Sequence, residues 1–221
     1  MSKKMMLLAL VVAALFALPS AASAQEIHFS GVTSFTGKGP SGTLTASNEP
    51  KVTCTETKSA AGSFNAGSTT TGTVNLIFGG CTAEFIGLKG NCNTAGDSTG
   101  IITSTGTFHL ITTSTGKPGI LVTPNTTTLL CIGFVRTEIT GKGIIGTITS
   151  PACGASSKEM KLSFEAEGST QKHIEYTGEK YDLSSHTENS AGETEAGGTG
   201  TAAIASTATI TSTTLGTLEC T

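Results

Sequence analysis

Apolar and polar residues alternate with a period of two along several stretches of this chain, the spacing that places side chains on opposite faces of a β-strand. Over residues 73–78, Val74, Leu76 and Phe78 share one face while Thr73 and Asn75 share the other. Over 159–167, Met160, Leu162, Phe164 and Ala166 oppose Lys161, Ser163, Glu165 and Glu167. Near the end, Ala202, Ile204, Ala208 and Ile210 oppose Thr201, Thr207, Thr209 and Thr211. Each pattern predicts a half-buried antiparallel strand. The runs 129–135 and 143–148 are apolar on both faces and predict strands covered on both sides. Further strands are expected over 27–35, 43–46, 51–57, 82–86, 101–111, 120–122 and 173–177. About a dozen short strands separated by turn residues predict an all-β fold, an antiparallel β-sandwich or a distorted β-barrel. Residues 184–200 are rich in Ser, Thr, Glu and Gly without alternation and are expected to form a mobile loop.

The first 24 residues follow a different pattern. Lys3 and Lys4 precede an apolar run over 5–18, then Pro19 and the small residues Ser20-Ala21-Ala22-Ser23-Ala24. This reads as a secretory signal peptide cleaved before Gln25, and 14 apolar residues fall short of the about 20 needed to cross a bilayer as a helix. A single exported domain over 25–221 is expected, secreted or held at the cell surface, with no membrane span after cleavage.

Composition narrows the partners. Cleavage removes two of the 13 basic residues and none of the 16 acidic ones, leaving a formal charge of −5. Nucleic acid is disfavoured, since it demands clustered Lys and Arg. Only 13% of residues are charged, and 41 threonines take over the role of covering the surface. Threonine is β-branched and suits a pleated, half-exposed sheet.

Six cysteines, Cys54, Cys81, Cys92, Cys131, Cys153 and Cys220, make three disulfides the expectation for an exported chain. Loop lengths favour Cys81 with Cys92, Cys131 with Cys153 and Cys54 with Cys220, the alternative being Cys54 with Cys81 and a rearranged remainder. The spacing of the four histidines and of the acidic residues announces no metal site, and no cofactor is expected.

Two groups of residues are candidates for chemistry. Gly96-Asp97-Ser98-Thr99-Gly100 matches the Gly-x-Ser-x-Gly elbow, with Asp182 and His186 following in hydrolase order. The elbow needs a strand-to-helix turn, whereas this string sits in a turn leading into a strand, so no catalytic residue is assigned. His173, Tyr176, Tyr181 and Asp182 gather both tyrosines beside titratable groups, a combination suited to sugar or peptide binding or to simple packing at a hairpin end.

The ordered landmarks Val52-Thr-Cys54-Thr, Gly72-Thr-Val-Asn-Leu-Ile-Phe-Gly-Gly-Cys81, Cys92, Leu129-Leu-Cys131, Gly143-Ile-Ile-Gly-Thr-Ile-Thr-Ser-Pro151, Met160-Lys-Leu-Ser-Phe164 and Tyr181-Asp-Leu183 span most of the chain. In these it resembles a set of uncharacterised secreted, Thr- and Gly-rich, multi-cysteine β proteins of soil actinobacteria. The resemblance implies export, β structure and bridged cysteines, and carries no activity. The expected function is therefore a non-catalytic extracellular binding or structural module, with a cell-wall glycan or a surface protein as partner. The alternatives are a carbohydrate-binding or adhesion module using the tyrosine-bearing end, and a secreted hydrolase.

Overall fold

A computed structural model describes residues 26–47, 51–188 and 199–221; the expected signal segment, residues 1–24, lies outside the described residues. The chain opens with β1 (Ile27–Ser30), β2 (Ser34–Gly39), β3 (Gly42–Ala46), β4 (Lys51–Cys54) and β5 (Glu56–Phe64). It continues through β6 (Thr71–Gly79), β7 (Thr82–Phe85), β8 (Leu88–Thr94), β9 (Ile102–Thr112) and β10 (Pro118–Pro124). Then come β11 (Thr127–Cys131), β12 (Val135–Gly141), β13 (Ile144–Ser150) and β14 (Ser156–Phe164). Four two-residue strands follow, β15 (Ala166–Glu167), β16 (Thr170–Gln171), β17 (Glu175–Tyr176) and β18 (Glu179–Lys180), before β19 (Leu183–Glu188) and β20 (Thr199–Cys220).

The pairings close a barrel rather than a sandwich. One ring runs β14-β13-β10-β9-β6-β5-β2-β20 and returns to β14; a second runs β20-β19-β12-β11-β8-β7-β4-β3 and returns to β20. Both rings are antiparallel and visit the chain in the same circular order, so they are two tiers of one eight-staved barrel. Each stave crosses from tier to tier, as β4 does into β5 or β10 into β11, with a break at the waist. Only β20 runs unbroken through both, its first residues pairing with β19 and β3 and its later ones with β2 and β14.

Inward positions carry the core. Phe35, Phe108, Ile120, Met160 and Ile210 fill the upper tier, and Val52, Ala83, Leu129, Val135 and Leu183 fill the lower. Eight strands enclose a narrow interior, and the rings fit because glycines face them. A Cβ on Gly62 would lie 2.2 Å from the Phe35 ring, and one on Gly146 would lie 2.7 to 2.9 Å from three carbons of the Phe164 ring. Phe64 meets Phe108 edge-on at 5.1 Å and Phe108 meets Phe35 at 5.5 Å, the favoured geometry for aromatic pairs.

Several readings of the sequence need correction: the expected strands 27–35, 51–57 and 159–167 each break in two, at 31–33, Thr55 and Glu165. The run 129–135 is a hairpin, because Ile132 and Gly133 turn with φ of 57° and 82° between β11 and β12. Residues 184–188 belong to β19 and 199–200 to β20, so this part of the expected loop is paired barrel wall; the remainder lies outside the described residues. The disulfides are Cys54–Cys81, Cys92–Cys131 and Cys153–Cys220, in place of the three favoured pairs. The physical reason is register. Thr53 opposes Thr82, Thr82 opposes Asn91 and Cys92 opposes Cys131, so Cys54, Cys81, Cys92 and Cys131 form a row across four neighbouring staves. Joining Cys81 to Cys92 would strand the outer two, whereas the observed pairs use all four.

Candidate functional site

The stave formed by β14 and β19 is interrupted between them, and residues 165–182 leave the barrel there as an arm of two small hairpins. Beside this gap, the backbone of Ile204 on β20 takes a side chain as its partner. Its N–H donates to Gln171 Oε1 at 3.0 Å, and its carbonyl accepts from Gln171 Nε2 at 3.1 Å. Gln171 is buried and replaces the absent stave, a role that nothing in its sequence context announces.

The arm carries the tyrosines. Outward-facing Ile111, Leu121 and Ile145 form a separate apolar patch on the upper tier, and Tyr176 and Tyr181 pack on it. The two rings lie 6.2 Å apart, and Tyr176 meets His109 edge-on at 5.7 Å. Burial pushes the His109 imidazole below its ordinary value near 6.5, against a weaker upward pull from Glu26. Burial also raises the Tyr176 phenol above its usual 10.0, helped by Tyr181 and Glu26. Of the four residues proposed from sequence, the structure groups Tyr176 with Tyr181 and adds His109, which sequence reasoning missed. Asp182 is exposed and its carbonyl accepts from the Gly143 N–H at 3.4 Å, while His173 is half-buried on the arm. The ring faces turned to the barrel are spent on packing.

The Gly96–Gly100 string forms a turn from β8 to β9, with Gly96 and Gly100 at φ of 90° and 75°. No helix follows it. His186 is held on β19 by Glu188 at 3.1 Å and Thr199 at 3.4 Å. The context that an elbow requires is replaced by barrel wall.

Two other features remain, one outside the barrel and one inside. On the outer wall of the upper tier, Ala61 opposes Asn75, which opposes Thr105, and Ser63 opposes Thr73, which opposes Thr107. These six residues are exposed and form two parallel rows. Neighbours across the strands stand about 4.8 Å apart. Between the rows lie Gly62, Val74 and Gly106, whose inward orientation leaves a depression of about 540 Å³ closed at one side by Asn125. A Cβ at Gly106 would fall 2.3 Å from the Thr123 carbonyl, so only glycine admits this close strand approach. Asn125 Nδ2 donates to Thr105 Oγ1 at 2.9 Å and fixes the rim. Every polar group in the groove is a hydroxyl or an amide, able to donate and accept, and none carries charge.

Inside, a cavity of about 80 Å³ sits at the waist against Phe78, Ile102, Leu129, Ile139 and Ile204. A second of about 60 Å³ lies in the upper tier, and Phe78 and Ser206 line both. At ~24 cal/mol per Å³, the first alone costs roughly 2 kcal/mol of stability.

No known protein family, curated protein or solved structure matches the chain. What the protein does must be argued from its own geometry.

Proposed function

We propose that this is an exported, non-catalytic binding module whose outer groove over β5, β6 and β9 holds a neutral, hydroxyl-rich glycan of the cell surface. The observation that carries the reading is the uncharged double row of Ser63, Thr73, Asn75, Thr105 and Thr107 beside Asn125. A sugar polymer presents alternating donors and acceptors, and hydroxyl and amide side chains at fixed sheet spacing satisfy both. An ionised ligand would find no counter-charge there.

Three disulfides suit an oxidising extracellular compartment, consistent with a cleaved signal over 1–24. Most apolar side chains face the interior while Lys and Glu face outward, the inverse of a lipid-embedded barrel. That sidedness favours a released or surface-retained protein. The tyrosine arm serves as a cover for Ile111, Leu121 and Ile145 in this reading, which moves the expected sugar site from the arm to the groove.

The test is retention of oxidised protein on insoluble neutral polysaccharides and purified cell walls. Asn75→Ala and Thr107→Val should reduce retention at least fivefold, while Lys89→Ala at the opposite end leaves it unchanged. Equal retention of all three variants, or retention of none and of the parent, would overturn the assignment.

A further inference from the structure

We propose that the waist of the barrel is a second, internal binding site, for a small neutral molecule that is predominantly hydrocarbon. It is independent of the outer groove. The two cavities, of about 80 and 60 Å³, share Phe78 and Ser206 as lining residues. Each is smaller than the about 150 Å³ of an engineered apolar cavity that stays dry and takes up benzene, so a guest as large as benzene must bridge the two lobes by displacing Phe78 or Ser206.

The lining fixes the ligand class. Leu44, Val52, Ile102, Ile139, Leu183 and Ile204 supply the walls around the waist. Two of the hydroxyls there are engaged within the wall, since Ser104 Oγ lies 3.3 Å from Thr127 Oγ1, which donates to the Asn125 carbonyl at 3.2 Å. Water needs two to four polar partners to settle in a cavity and would not find them at such walls. A charged or hydrogen-bonding ligand would lose hydration without recompense.

The void also follows from how the barrel is built, which makes it a property of the fold rather than a stray packing fault. Seven of eight staves break near this level, and Gly42 and Pro124, at strand ends beside two of the breaks, line the waist cavity. Phe35 and Phe108 line the upper lobe, and Cys54 and Leu129 line the waist lobe.

The probes are benzene and xenon, titrated into oxidised protein labelled at Ile, Leu and Val methyl groups. The site predicts saturable shifts at Ile102, Leu129, Ile139, Leu183 and Ile204, and none at Ile111, Leu121 and Ile145 on the outer patch. Ser206→Leu, which places a larger side chain between the two lobes, should weaken benzene at least tenfold and raise Tm. Should that variant fail to fold, Ala208→Leu fills the upper lobe alone and should weaken benzene while sparing xenon at the waist. Absence of saturable shifts, shifts spread over both patches, or undiminished benzene affinity in a folded filled variant would overturn the site.

Discussion

Replacing Gly146 with alanine puts a methyl group 2.7 to 2.9 Å from three carbons of the Phe164 ring, the nearest atoms it would meet. Both residues lie in the upper tier, Gly146 buried on β13 and Phe164 half-buried on β14. Overpacking of this size costs about 2 kcal/mol. Phe164→Ala alone should cost about 2–3 kcal/mol, below the full range for a completely buried ring. With the ring removed the methyl loses its three nearest contacts. Alanine also loses less chain entropy than glycine in a strand, so Gly146→Ala in the Phe164→Ala background should be neutral or stabilise by up to ~1 kcal/mol. The double-mutant cycle therefore predicts a coupling of about 2–3 kcal/mol. Urea unfolding with disulfides intact reads it directly, a 2 kcal/mol change moving the midpoint by about 1 M. Additivity within ~0.5 kcal/mol would show that glycine is not there to seat the ring, and the account of the narrow upper core would fall.

Gln171→Ala leaves the Ile204 N–H and carbonyl without their partner beside the interrupted stave, and should destabilise by about 2–3 kcal/mol, with faster hydrogen exchange at Ile204. His109 has a depressed folded-state value, so the unfolded chain binds more protons as pH drops below about 6.5. Its contribution is fully present above that value and is lost on acidification; His109→Gln should flatten the fall in urea midpoint between pH 7.5 and pH 5. Non-reducing peptide mapping should recover Cys54–Cys81, Cys92–Cys131 and Cys153–Cys220, and Cys153→Ser with Cys220→Ser should cost about 4 kcal/mol, as expected for a closed loop of 67 residues. Ile86 is exposed at the β7–β8 tip with φ of 48°, so Ile86→Asn should raise stability by about 1 kcal/mol in thermal melts.

The strands with a clean apolar alternation, such as β6, β14 and the middle of β20, were legible because one face meets the core and the other meets water. β19 was hidden because its inward positions are Leu183, Ser185 and Thr187, only one of them apolar. Thr187 is nonetheless buried, its hydroxyl 3.2 Å from that of Thr137, and a pairwise hydroxyl contact of this kind leaves no trace in hydropathy. Apolarity on both faces of 143–148 correctly signalled double cover: Ile144 faces the core and Ile145 the tyrosines. The disulfides depended on which staves are neighbours, and loop length in the chain was a poor guide to that. The groove was illegible for the same reason. Thr73, Asn75, Thr105 and Thr107 look like any solvated threonine-rich surface until register aligns them into rows.

The central claim is that the groove over β5, β6 and β9 holds a neutral glycan. Amide chemical-shift mapping with soluble neutral oligosaccharides released from cell walls tests it most directly. The account predicts saturable shifts confined to residues 61–63, 73–75, 105–107 and 125. Shifts centred on Tyr176 and Tyr181, or none at any concentration up to the solubility of the sugar, would contradict it.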